Sequence, residues 1–181
     1  MIETVDQLLS FLTVGGQGII VGLIVAYSAT SKVGRAKALL TFVARNALLF
    51  AFVIALTATL GSLFYSEIAG YEPCKLCWYQ RILMYPQTLL LGIAWLKRDR
   101  TIRDYCLALS GLGAGLAAYH YSLQLNIVSG VSCPVVGYSV SCSQRFAMEY
   151  GYVTIPLMAL TAFLLIIVFL TVGGDRKRAK D

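Results

Sequence analysis

The stretch Glu72-Pro73-Cys74-Lys75-Leu76-Cys77-Trp78-Tyr79-Gln80-Arg81 places two cysteines at the mouth of an apolar segment that runs from Trp78 to Trp95. A CxxC pair closes a small ring and shuttles between dithiol and disulfide, and the local field commonly lowers a sulfur pKa within it. Cys77 stands near the start of the apolar run, where a helix presents the positive end of its dipole. Arg81 follows four residues later and shares the helical face of Cys77. Both features predict the thiolate at Cys77. This is a redox arrangement that does not by itself name a reaction.

Working outward, the 181-residue chain is 58% hydrophobic and only 13% charged, with a mean hydropathy of +0.73. Soluble domains are roughly 45–50% apolar and about 25% charged, so the composition is that of a membrane protein. Five apolar segments follow one another: Leu8 to Tyr27, Ala47 to Ile68, Trp78 to Trp95, Tyr105 to Leu125 and Val153 to Val172. Each is close to the ~20 residues that cross ~30 Å of hydrocarbon as a helix. The first is expected to be retained and not cleaved as a signal peptide, because Met1-Ile2-Glu3-Thr4-Val5-Asp6 has no positive charge ahead of the apolar run. Gly18 and Gly22, and likewise Gly111 and Gly115, have the spacing that lets membrane helices approach closely. Residues 144–150 have the length of a short helix lying on the membrane.

The net charge of +6 is not spread as a phosphate-binding stripe, and nucleic acid is not an expected partner. Twelve of the fifteen basic residues fall into three clusters between the apolar runs: Lys32, Arg35, Lys37 and Arg45; Lys97, Arg98, Arg100 and Arg103; Arg176, Lys177, Arg178 and Lys180. The positive-inside rule puts all three in the cytoplasm, with the N-terminus outside and the C-terminus inside. Cys74, Cys77, Cys133 and Cys142 then lie on outer loops, where disulfides persist. Cys106 falls at the cytoplasmic start of the fourth segment and reads as a small buried apolar side chain.

Three arrangements fit four outer cysteines. Two inert disulfides would staple the loops. Four thiolates would hold zinc, although the nine-residue step from Cys133 to Cys142 departs from the repeated CxxC of a zinc ribbon, and no metal is expected. Two exchanging pairs would form a relay through mixed disulfides. A CxxC flush with the bilayer is placed to pass electrons to a lipid-soluble acceptor. A quinone needs an apolar slot, donors to its carbonyl oxygens and a nearby thiolate; Arg81 supplies a cation and donor. His120, the single histidine, lies level with Arg81 and is a candidate to donate a hydrogen bond or handle a proton.

Residues 73–86, Pro-Cys-Lys-Leu-Cys-Trp-Tyr-Gln-Arg-Ile-Leu-Met-Tyr-Pro, closely resemble the motif of the disulfide-bond formation protein B family (DsbB, and more closely its BdbC branch). Ala118-Tyr119-His120-Tyr121 and Gly151-Tyr152-Val153-Thr154-Ile155-Pro156-Leu157 are similar as well, and the resemblance covers roughly residues 45 to 173. It implies an all-α integral membrane protein: a DsbB-like four-helix bundle over residues 31–181, with residues 1–30 adding a fifth transmembrane helix. It further implies a thiol oxidase of the bacterial cytoplasmic membrane. Such an enzyme reoxidises an extracytoplasmic thioredoxin-like partner of the DsbA/BdbD type and passes electrons to ubiquinone or menaquinone. On the resemblance, Cys133 forms the mixed disulfide with the partner and Cys142 passes reducing equivalents to Cys74. Cys77 is then the sulfur beside the quinone, with Arg81 stabilising charge there. Two alternatives stay open: a quinone reductase of the vitamin K epoxide reductase type, and a non-enzymatic membrane protein with structural disulfides.

Overall fold

The computed structural model describes residues 2–28, 34–127, 142 and 148–178, and for residues 34, 35 and 175–178 the backbone only. These residues form six helices and one small hairpin: α1 Ile2–Ser28, α2 Gly34–Arg45, α3 Ala47–Leu63, α4 Lys75–Lys97, α5 Arg103–Gln124, β1 Met148–Glu149, β2 Val153–Thr154 and α6 Ile155–Arg178. The architecture is the expected all-α membrane bundle. Ile2–Ser28, Ala47–Ile68 and Ile155–Gly174 are long and apolar enough to cross a bilayer. α4 and α5, of 23 and 22 residues, are less apolar because they carry polar groups inside the bundle. Those groups pair across helices: Ser110 Oγ donates to Gln87 Oε1 at 2.7 Å, and the hydroxyls of Thr59 and Thr88 lie 2.8 Å apart. In a medium without water a buried polar side chain needs such a partner.

α6 is the central post, packed against α1, α2, α3 and α5. Its Phe163, Ile166 and Leu170 are almost completely buried, with Leu91 of α4 and Ala51 and Ala55 of α3. The close approaches are made by glycines other than those singled out by spacing. A Cβ on Gly113 would collide with the Phe163 ring, and one on Gly16 would sit 2.9 Å from Leu165 Cδ1. Among the described residues, a Cβ on Gly18, Gly22, Gly111 or Gly115 meets no atom of another element within 4 Å, so their spacing marks no helix contact there.

Two elements differ from the sequence expectations. The basic stretch between the first two apolar segments contains a further helix, α2, whose Val43 and Ala44 are buried. Met148–Glu149 is a strand rather than part of a helix; it pairs antiparallel with Val153–Thr154 through Met148↔Thr154 and Glu149↔Val153. The turn between them needs two left-handed residues, and Tyr150 (φ 52) and Gly151 (φ 76) supply them. The rest of the expected surface helix, residues 144–147, lies outside the described residues, as do Lys32, Cys133 and Lys180.

The ends of the bundle are distinct. Arg103 Nε donates to the Leu170 carbonyl at 2.8 Å, and Arg100 Nη1 to that of Gly173 at 3.4 Å. The second basic cluster therefore sits beside the C-terminal part of α6, at the end opposite the CxxC motif.

Candidate functional site

Pro73 leads into Cys74, which stands as the N-cap of α4 in extended conformation (φ −69, ψ 171). Its carbonyl receives the Trp78 amide at 3.1 Å, starting the helix. Cys77 follows within the first turn. The two free thiols face one another, with Sγ–Sγ at 3.3 Å. Cys74 is 3% exposed, so burial alone would raise its pKa. The hydrogen bond between the two thiols outweighs that penalty. Helped by the His120 ring and the Cys77 amide, it holds the Cys74 thiol well below its usual range. Cys74 occupies the helix mouth itself with its Sγ against Cys77, so the field at the mouth acts on Cys74 as well as on Cys77, where sequence predicts the thiolate.

His120, in the last turns of α5, is 2% exposed and ties three parts of the site together. Its Nε2 lies 3.1 Å from the Cys142 carbonyl and 3.7 Å from Cys74 Sγ, while its Nδ1 lies 3.2 Å from Gln80 Nε2. A carbonyl only accepts, so Nε2 carries the proton and Nδ1 accepts from the Gln80 amide. This tautomer aims an N–H at Cys74 and at the Cys142 main chain together. Gln80 is buried on α4 and sets that orientation. Its place beside Arg81 in the quoted stretch was visible, but nothing in the sequence paired it with a histidine forty residues away.

Arg81 is anchored to the neighbouring helix. Its Nε donates to Ser62 Oγ at 2.9 Å and its Nη2 to the Ser62 carbonyl at 2.9 Å, and its Cζ lies 5.4 Å from the centre of the Trp78 ring. Tyr85 also donates to Ser62 Oγ, at 3.2 Å. Just beyond Ser62, α3 ends in a π-helical turn, Phe64–Ile68, which holds the buried Tyr65. Such turns are rare and frequent at functional sites. Ser62 and Tyr65 carry no sequence signal of their own, while Tyr85 falls within the motif at residues 73–86.

Cys74, Cys77, Arg81 and His120 all line one cavity of about 180 Å³. Ile54, Met84 and Phe163 give it an apolar body, and Leu9, Leu12 and Thr13 of α1 form one wall. Cys142 is disulfide-bonded and 2% exposed, and it packs in one buried cluster with Cys74, Leu76 and Leu123. The ligand atoms of Cys74, Cys77 and His120 lie within 4.8 Å of one another, a donor set also able to hold a metal ion. Cys106 is fully buried near the start of α5, in the main core and away from these residues.

A buried dithiol at a helix mouth, a histidine bridging it to a second cysteine and an apolar cavity alongside define a membrane-embedded thiol–disulfide protein. The model of the family described as disulfide bond formation protein DsbB matches residues 44–173, and the chain belongs to that family. It is 46% identical over 123 residues to the probable disulfide formation protein C of Halalkalibacterium halodurans, an alignment covering 68% of this chain and 89% of that protein. To the disulfide bond formation protein C of Bacillus subtilis it is 47% identical over 119 residues, 65% of this chain and 85% of that one. To the probable disulfide formation protein of Chlamydia caviae it is 37% identical over 140 residues, covering 77% of this chain and all of the relative. No solved structure matches the chain. Membership supports a role in disulfide formation.

Proposed function

We propose that the protein is a thiol:quinone oxidoreductase which reoxidises a thioredoxin-like thiol oxidase outside the cytoplasmic membrane. The carrying observation is the single cavity that joins the CxxC pair, Arg81 and His120 to an apolar interior. Cys133 takes up the partner as a mixed disulfide and Cys142 hands the reducing equivalents to Cys74. The burial of Cys142 in one cluster with Cys74 supports that exchange. Each exchange moves two electrons and two protons, so that a partner dithiol becomes a disulfide and Cys74–Cys77 becomes a dithiol. The Cys74–Cys77 dithiol then closes again as two electrons and two protons pass to the quinone, giving a quinol.

In this reading Arg81 holds a quinone oxygen with guanidinium N–H groups beyond the two bonded to Ser62. His120 keeps the Cys74 thiolate in place and aligns the Cys142 chain with it. All five long helices span the bilayer, and α1 is an addition to a four-helix family unit. The CxxC end faces outward and the basic end the cytoplasm. The Arg100 and Arg103 bonds to α6 support the shared side of the two basic clusters at that end.

The test is quinone reduction by the purified protein, followed by absorbance, with a reduced thioredoxin-like protein as donor and Cys77→Ser alongside. Donor-dependent turnover that vanishes in the variant is expected. A folded protein inactive with every donor and both ubiquinone and menaquinone would return the cysteines to a structural role.

A further inference from the structure

We infer that α1 forms one side of a lateral portal into the redox cavity, and that the seam between α1 and α3 holds the hydrocarbon tail of a lipid-soluble quinone. This rests on the quinone reading above and adds to it where the ligand enters and what grips its tail.

The cavity holds Cys77, Arg81 and His120, and one of its walls is built by Leu9, Leu12 and Thr13 of α1. A second, shallower groove runs along the outside of the bundle between α1 and α3. Leu9, Leu12, Thr57 and Gly61 line both. The cavity and the groove therefore meet across these four residues, and the groove continues outward past Leu8 and Leu60, which are 56% and 57% exposed. In a bundle lying in a bilayer, that exposed surface faces acyl chains. A ligand dissolved in the lipid reaches the cavity by this seam without crossing water.

The packing of α1 explains why the seam is open. α1 is seated on α6 through Gly16 beneath Leu165, and Gln17 ties it to the Tyr152 hydroxyl at 3.3 Å. Against α3 it packs only sparsely. Where the two do approach, the residue on α3 is Gly61: a Cβ there would lie 3.2 Å from Leu9 Cδ1. Any larger side chain at 61 must push into the seam. Apart from Thr57 and, at the outer end, Glu67, the groove is lined by apolar side chains, which match a hydrocarbon tail. Because the family match begins at residue 44, the α1 side of the portal lies outside the matched unit.

The experiment compares KM for two quinones with the same ring, one carrying a long isoprenoid chain and one carrying none. Leu8→Trp and Leu63→Trp narrow the groove from opposite sides, at positions that do not line the redox cavity. Each is expected to raise KM for the long-chain quinone about tenfold or more, in the range an apolar pocket discriminates, and to leave the ring-only quinone within about twofold. Leu60→Ala, at an exposed position that lines the groove alone, removes tail contacts without crowding and is expected to weaken the long-chain quinone alone, by roughly threefold to tenfold. Val21→Trp, on the exposed face of α1 away from the groove, is expected to change neither. Equal losses for both quinones, or none for either, in variants that retain turnover with the ring-only compound overturn the portal. If the unaltered protein reduces neither quinone, the acceptor reading falls and the portal with it.

Discussion

Both ends of the bundle hold arginines that bond to main-chain carbonyls, yet the two arrangements do different work. At the basic end, Arg103 and Arg100 reach the carbonyls of Leu170 and Gly173, in the last turns of α6. Both carbonyls lie within α6 and offer a second lone pair, so these bonds fasten the chain around the start of α5 to that helix. Arg81 instead bonds to Ser62 on a neighbouring helix, stacks near Trp78, and lines a cavity together with the CxxC pair. Its position costs the burial of a charge beside apolar surface, and such a cost within a membrane marks functional residues. On the function proposed above, the surroundings rather than the residue type separate a fastener from a group that serves the reaction.

The sharpest way to break this comparison is to remove each arginine in turn. Arg81→Ala is expected to lower kcat/KM for quinone by about 100-fold, the scale of losing one preorganised donor at a site of developing charge. Exchange between the partner protein and the outer cysteines should proceed at its normal rate in the same variant, measured by trapping the mixed disulfide. Equal damage to both steps would make Arg81 a fastener like Arg103.

The next largest effect lies in the ionisation of Cys74. Its pKa is lowered, so the thiolate persists below the ordinary thiol value of about 8.5 and is lost only as pH falls through the lowered value. His120→Ala removes one of the stabilising donors and moves that loss to higher pH. At pH 6 the reduced variant should therefore react with iodoacetamide at Cys74 several-fold more slowly than the unaltered protein, roughly five- to tenfold, with equal rates at pH 9.5. Gln80→Leu should give a smaller change of the same sign, because Gln80 acts only through the His120 tautomer. An unchanged pH profile in both variants would leave the Cys77 thiol and the helix mouth as sufficient causes.

These effects also mark how far the sequence could be read. The CxxC at a helix mouth, the apolar segments and the nearness of Arg81 to Cys77 are local patterns, set by spacing along one helix, and the structure reproduces them. His120 is legible too, as a lone polar residue near the end of an apolar run. Its bonds are not, because Gln80 Nε2 and the Cys142 carbonyl come from chain segments 40 and 22 residues away. That Cys74 is the N-cap, so that the helix mouth acts on it directly, depends on where the helix starts, one turn before the apolar run. α2 was hidden because its basic residues read as a loop marking topology, while Val43 and Ala44 bury only once α6 is beside them. The wall that α1 contributes to the cavity depends wholly on tertiary packing.

The basic end should respond in stability and not in chemistry. Arg103→Ala removes a bond from a charged donor, worth about 1.5–3 kcal/mol when well sheltered. The side chain is 31% exposed, so the loss should fall near or below the lower figure. A thermal midpoint in detergent lowered by a few degrees, with unchanged turnover per folded molecule, is the expected result. A loss of kcat comparable to that of Arg81→Ala would erase the distinction between the ends.

The smallest effect is expected at Cys106, the one cysteine of the described residues near the basic end. It is fully buried in the main core and packs as a small apolar group, so the reactive chemistry at the opposite end does not reach it. Cys106→Ala leaves a cavity of one sulfur atom and should cost about 1 kcal/mol of stability. Turnover with both quinones should stay within about twofold, a change too small to register as a lost catalytic interaction. Because Cys106 shares the thiol of the CxxC pair but neither its helix mouth nor its histidine, this variant isolates what the surroundings add. A folded Cys106→Ala protein that has lost oxidase activity would mean that electrons or structural change pass through the core between the two ends, and the two ends would then have to be treated as a single site.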